Sequence, residues 1–374
     1  MKILFITSSS RTPDNLHPFQ KSLLHALESL GIRGPRINLV NNPSFEVKRK
    51  RGVIPFMKDK LSYLSAILKE IESLIREEGV EIIHSFGTYL AGLSACLARS
   101  LLEVQYVVSV DGGSHIHDKI PRARNLTKAI LTSAARITSP SKALASEISE
   151  FFGINPDKIT VIPPIIELGK ERLSENEAGE KVREKHKIPE DSPLILSSGT
   201  FWYSQGLHLL LLGSKKVLER FPHFKFLIIG DGPLYHEYLA MIHRLNLQES
   251  VILVKGASSE ELSCYYAACD LFVYVPVYED FAIPLLRAMA FSKPIIATRT
   301  GSIPEIISEG KNGVLIDPYD IPALTESIIK LVQDEELRKK LSLEARRTAE
   351  NFNPKNAAKS MIKVYESILA ERWW

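Results

Sequence analysis

The residue in this chain least easily explained by packing is Glu279, a carboxylate at the end of a loop that follows a buried apolar run. A charged side chain in such a place points to a ligand or to a specific partner. Two glycine-bearing turns stand at comparable positions. Gly230-Asp231-Gly232-Pro233 follows one apolar run and opens a helical pattern; Thr300-Gly301-Ser302 follows another. Glycine lets a ligand approach the backbone, proline suits a first helical turn, and helix N-termini attract anions. Taken alone, either turn is equally well a plain strand-to-helix connection. His115 and His117 form an H-x-H after Asp111, which reads either as a metal site or as a solvated loop. His84 ends a short apolar run and faces either a ligand or the protein interior. Lys48-Arg49-Lys50-Arg51, followed by Ile54, Phe56 and Met57, reads as an anionic-surface contact or as a solvated loop leading into a helix over 58–78.

Positioning these residues requires a regular frame, and the chain supplies one. Short apolar runs alternate with helical periodicity almost throughout. The N-terminal half gives strands at Ile3–Thr7, Arg36–Val40, Glu81–His84, Tyr106–Val110, Arg136–Ser139 and Ile159–Ile162. Its helices include Phe19–Leu30 and one carrying Leu61, Leu64, Leu68, Ile71 and Ile75. From Pro163 to Asp191 the chain is charged and poor in aromatics, as a linker is. The alternation then restarts. Strands are expected at Leu194–Ser198, Phe224–Ile229, Val251–Val254, Leu271–Val275 and Pro294–Ala297, with helices between them and two or three more at the C-terminus. Each crossover helix must cover one face of a parallel sheet. The fold class is therefore α/β, with two doubly wound Rossmann-like domains. Ligands bind such sheets at the carboxyl ends of the strands, so two facing domains imply a cleft.

Composition narrows the function. At 374 residues, two domains are the default. A net charge of +3, with bases interleaved among acids, argues against a dedicated nucleic-acid binder. Cys96, Cys264 and Cys269 form neither a CxxC nor an even-numbered framework, which points to a reducing, cytoplasmic setting. The apolar stretch at the N-terminus is too short for a signal peptide. The run from 86 to 98 falls short of the roughly 20 residues of a membrane span, which leaves at most a peripheral membrane contact.

The stretch from Val251 to Pro318 resembles family 4 of the glycosyltransferases, retaining enzymes of the GT-B fold. The most specific segment is YVPVYEDFAIPLLRAMAFSKPIIATRTGSIPEII, Tyr274 to Ile307, continued by KNGVLIDP, Lys311 to Pro318. The GDGP turn and the segment from Gly199 to Gly206 agree with it. The resemblance implies transfer of a sugar from a nucleoside-diphosphate donor with retention, and it implies neither metal nor other cofactor. The chain has no Asp-x-Asp. The acceptor would be a carbohydrate or a lipid-linked molecule. On this reading Glu279 hydrogen-bonds the donor sugar and the backbone of Phe281, Ala282 and Ile283 meets it. Gly301 and Ser302 border the cleft, Gly230 and Gly232 lie near the nucleotide, and Lys255 and Gly256 border the base. The implied plan places an acceptor-side domain at 1–165, a linker at 166–192, a donor domain at 193–352, and a helix at 353–374 crossing back to the N-terminal domain.

Four departures bear on this assignment. Thr200 and Gln205 replace the Arg and Lys that grip the diphosphate in the family. Arg287 replaces the glutamate that holds the ribose hydroxyls, and a guanidinium can only donate. Ser8-Ser9-Ser10-Arg11 replaces a Gly-Gly turn, and Asp111 replaces a catalytic-side histidine. Each charge-assisted hydrogen bond contributes roughly 1.5–3 kcal/mol, so two uncompensated losses weaken donor binding by about 10²–10⁴-fold. Arg287 either compensates at the phosphates or pairs with Glu279. Three readings follow: an active transferase, a non-catalytic relative that binds carbohydrate or a protein, and an enzyme that works only with a protein partner.

Overall fold

The computed structural model describes residues 1–9, 18–40, 47–49, 52–54, 60–110, 121–166, 175–279 and 281–371. The chain forms two compact units, Met1–Ile165 with Pro354–Trp374, and Ile166–Asn353.

The first unit is built on an eight-stranded sheet. Six strands are parallel: β1 (Ile3–Ser9), β2 (Arg36–Val40), β5 (Ile82–Phe86), β6 (Gln105–Ser109), β7 (Arg136–Ser139) and β8 (Ile159–Val161). Of the basic run from 48 to 51, read from sequence as a surface contact or a loop, Lys48 and Arg49 lie on the edge strand β3 (Val47–Arg49), which pairs antiparallel with β2 and with β4 (Gly52–Ile54); Lys50 and Arg51 lie outside the described residues. The spatial order is β4-β3-β2-β1-β5-β6-β7-β8. Every side chain of β5 is buried, as a central parallel strand covered on both faces requires. On helix α2 (Lys60–Glu78) the buried stripe is Tyr63, Ile67, Ile71 and Leu74, while Leu64 and Leu68 are only half-buried. The C-terminal helix, α14 (Pro354–Ala370), belongs to this unit and packs on α1 (Pro18–Ser29). It buries Ala358, Met361, Val364, Tyr365 and Ile368, positions at helical spacing.

The second unit carries a six-stranded parallel sheet. Its strands are β9 (Leu194–Thr200), β10 (Lys225–Asp231), β11 (Val251–Lys255), β12 (Leu271–Tyr274), β13 (Ile295–Thr298) and β14 (Val314–Ile316). Their order, β11-β10-β9-β12-β13-β14, reverses between β9 and β12. Such a switch point opens a crevice at the carboxyl edge because the chain leaves β9 and β12 in opposite directions. Pairing is uneven there. β9 follows β10 as far as Thr200 opposite Asp231, but meets β12 only at Ile195 and Leu196.

The segment 166–192, expected as a linker, contains helix α6 (Glu175–His186), which packs on α9 (Ser259–Ala268). Lys185 pairs with Glu261 at 2.9 Å, and Ala178, Val182 and Ile188 are buried. Its charged composition reflects a helix that buries one narrow stripe and exposes the rest. No described helix is long and apolar enough to cross a membrane.

Candidate functional site

The carboxyl ends of β9, β10 and β11 surround a pocket of about 270 Å³ in the second unit. Ser198, Gly199, Ile229, Gly230 and Asp231 line it from the strands, and Gly256 and Ala257 from the loop after β11. Leu262 and Tyr266 close it from α9. Ile283, Pro284 and Arg287 close it from α10 (Ile283–Ala290). Gly230 is required by packing, since a Cβ there would lie 1.9 Å from the Gly199 carbonyl oxygen. The adjacent backbones are tied together, Gly256 N–H donating to the Gly230 carbonyl at 2.7 Å.

Beneath the pocket, Ser198 Oγ and the Tyr266 hydroxyl lie 2.6 Å apart, and Tyr266 also donates to the Pro284 carbonyl at 3.2 Å. Burial pushes the Tyr266 hydroxyl up, so it stays a neutral donor, while the nearby positive charge of Arg287 pulls the other way. Arg287 itself is half-buried, and its guanidinium makes no hydrogen bond or ion pair with any described residue. A pairing with Glu279 does not occur. Asp231 is occupied on one oxygen, where Gly232 N–H donates to Oδ1 at 2.8 Å.

Glu279 anchors a second cluster. Its Oε1 accepts from the backbone N–H of Phe281 and of Ala282, both at 2.9 Å. Its Oε2 accepts from the Tyr274 hydroxyl and from Gln205 Nε2, the latter at 3.3 Å. Tyr274 is buried, and burial together with the Glu279 charge drives its hydroxyl well above the ordinary phenol range. It therefore remains a donor to the carboxylate. Ala282, fully buried, takes a left-handed backbone conformation at φ 46° immediately before α10. The loop is held in that unfavourable geometry by the carboxylate capping its N–H. On the other side Ser302 N–H donates to the Glu279 carbonyl at 3.1 Å. Gly301 is mandatory: its φ is +50° and a Cβ would stand 1.7 Å from that carbonyl oxygen. Ser302 is 2% exposed, and its hydroxyl has no partner among the described residues.

The expected site residues thus fall into three groups. Gly230, Gly256, Ile283 and Arg287 share the pocket; Glu279, Gln205, Phe281, Ala282, Gly301 and Ser302 form the adjoining network. Thr200, Gly232 and Lys255 do not line the pocket. Thr200 is exposed at the end of β9, and Lys255 lies with Nζ 5.2 Å from the centre of the Tyr235 ring. The helix after Gly230-Asp231-Gly232-Pro233 starts at Tyr235, so Pro233 sits in the turn rather than in the first helical turn. Asp111, His115 and His117 lie outside the described residues. Among the described residues no three His, Cys, Asp or Glu side chains converge as a metal site would need.

His84 is a structural residue of the first unit. It is fully buried, with Nδ1 2.6 Å from the Tyr365 hydroxyl of α14 and Nε2 2.7 Å from Ser109 Oγ. Burial lowers its pKa to about 3, so the ring is neutral. Sequence reasoning missed Tyr274 and Tyr266. The available signal was a phenol on an otherwise apolar strand or helix face, which needs a hydrogen-bond partner when buried.

Two family models match: Glycosyltransferase Family 4 over residues 26–170 and Glycosyl transferases group 1 over residues 179–348. An uncharacterized glycosyltransferase of Methanocaldococcus jannaschii is 26% identical over 365 residues, which is 95% of this chain and 97% of that protein. Among solved structures, a glycosyltransferase from Rickettsia africae superposes with a TM-score of 0.79 at 20% identity, covering 98% of this chain and 99% of that one. Anabaena HepE, solved in complex with UDP-glucose, gives 0.77 at 16% identity over 98% and 100%. The two matched segments together take in most of both units, and the chain belongs to the glycosyltransferases of the GT-B fold.

Proposed function

We propose that the second unit binds a nucleoside-diphosphate sugar and that the enzyme transfers the sugar, with retention and without a metal, to a carbohydrate or lipid-linked acceptor. The observation that carries this reading is the pocket at the switch point of the second sheet, adjoined by the loop that Glu279 locks. In it, the nucleotide occupies the pocket beside Gly230 and Gly256, with Gly232 and Lys255 flanking it. The sugar extends toward Glu279, Phe281, Ala282 and Ile283, with Gly301 and Ser302 behind. The bond between the anomeric carbon and the diphosphate oxygen breaks, a bond to an acceptor oxygen forms, and the acceptor proton leaves with the diphosphate. Asp111, two positions in sequence beyond the end of β6, is the residue of the first unit proposed to serve the acceptor side. The UDP-glucose bound to HepE, a protein of the same fold, supports a donor of this class.

The test is calorimetric titration with UDP, GDP, ADP and their hexose conjugates, followed by transfer assays before and after dialysis against EDTA. Binding of one diphosphate, transfer with retained anomeric configuration and indifference to EDTA support the reading. Failure of all three nucleotides to bind at millimolar concentration overturns it. The second reading, a non-catalytic relative that binds carbohydrate or a partner protein, would then stand. Favouring that alternative is the loop after β9, which carries no charged residue from Gly199 to Gly206.

A further inference from the structure

We infer that Arg287 takes the phosphate charge of the nucleotide held in the second unit's pocket. This inference rests on the donor-binding reading and assigns the cation that reading lacks. The two positions expected to carry cations hold Thr200, at the end of β9, and Gln205, and Gln205 is committed to Glu279 and Tyr274. Lys255 lies over the Tyr235 ring and does not line the pocket. Among the described residues that line it, Arg287 is therefore the only Lys, Arg or His.

Three features fit the role. Arg287 sits in the second turn of α10, and long side chains on a helix lean toward its N-terminus. That direction brings the guanidinium back toward Ile283 and Pro284, which line the same pocket. The end of the helix it leans toward carries the positive half of the helix dipole, so both charges favour an anion there. Finally, Arg287 has no acidic partner among the described residues. Glu279 accepts from four donors of its own loop and neighbours, and Asp231, which shares the pocket, lies beyond ion-pair distance while accepting from Gly232. A half-buried guanidinium costs desolvation that an oxyanion would offset, and its planar fork matches phosphate oxygens two at a time.

The experiment compares the full-length wild type, Arg287→Gln and Arg287→Lys by calorimetry. Each is titrated with the nucleoside diphosphate that wild type binds and with the matching nucleoside, over a salt series. Arg287→Gln should lower diphosphate affinity by roughly 10–100-fold and leave nucleoside affinity unchanged. Its affinity should also depend less steeply on salt. Arg287→Lys should fall between the two, and melting curves check that each variant folds. Where the nucleoside is too weak to titrate, the salt dependence decides. Equal losses for nucleoside and diphosphate, or an unchanged salt slope, would assign Arg287 to pocket shape and overturn the inference. Failure of wild type to bind any of UDP, GDP or ADP would instead sink the donor-binding reading, and this one with it.

Discussion

Glu279→Ala tests whether the carboxylate is a structural lock on its own loop. The change removes the acceptor for the N–H groups of Phe281 and Ala282, for the buried Tyr274 hydroxyl and for Gln205 Nε2. Hydrogen bonds to an ionised acceptor contribute about 1.5–3 kcal/mol each, but the loop is half-exposed and water recovers part of the loss. Ala282 loses the contact that holds its left-handed geometry. The expected net cost is about 2–4 kcal/mol. For a unit of this size, about 2–4 °C per kcal/mol translates that into a fall in Tm of roughly 5–15 °C. Glu279→Gln keeps one oxygen for the two N–H groups and should cost only about 1 kcal/mol. Calorimetry of both variants, repeated in a Tyr274→Phe background, reads the coupling. In that background Glu279→Ala should cost less, because the hydroxyl it would strand is gone. A Glu279→Ala protein melting within about 1 °C of wild type, or costs that simply add, would refute the lock.

Two further outcomes follow from the geometry. His84 is held at a pKa of about 3 by burial, against about 6.5 when unfolded, so between these values the unfolded chain binds a proton that the folded one does not. Stability from this group is complete above pH 6.5 and is lost as pH falls, by about 1.4 kcal/mol per unit. Urea melts from pH 7.5 to 5 should therefore show a shallower pH dependence for His84→Gln than for wild type; parallel curves would refute it. Gly301→Ala puts a Cβ 1.7 Å from the Glu279 carbonyl, which must move. If Glu279 and its loop position the donor, kcat/KM for transfer should drop by about 10²-fold, because displacements near 1 Å at a reacting centre cost that much; near-wild-type turnover would contradict the placement.

The central parallel strands of the second unit were legible because they are buried on both faces and so read as apolar runs, LIL, FLII and LFVY among them, and the half-buried edge strand β11 is apolar from Val251 to Val254. β14 escaped notice because three residues carry no periodicity. Helix α6 was hidden by its charge, since only Ala178, Val182 and the following Ile188 are buried. Of the site, Glu279 and the glycines announced themselves by being out of place in an apolar context. Their partners did not: Gln205 reaches Glu279 across 74 positions of sequence, and nothing local encodes that contact. Gln205 looked like a lost cation, but its neutral amide is fitted to both neighbours: Nε2 donates to the Glu279 carboxylate and Oε1 accepts from the Tyr274 hydroxyl. His84 was ambiguous for the same reason, because its partner Tyr365 lies 281 residues away on α14.

Hydrogen exchange on the full chain, with and without saturating UDP-, GDP- or ADP-glucose, locates the donor site. The donor that binds should slow exchange at the carboxyl ends of β9, β10 and β11 and from Phe281 into α10 as far as Arg287, where the pocket and the Glu279 network lie. Binding accompanied by protection elsewhere in the chain, with these segments unchanged, would place the nucleotide sugar outside this pocket.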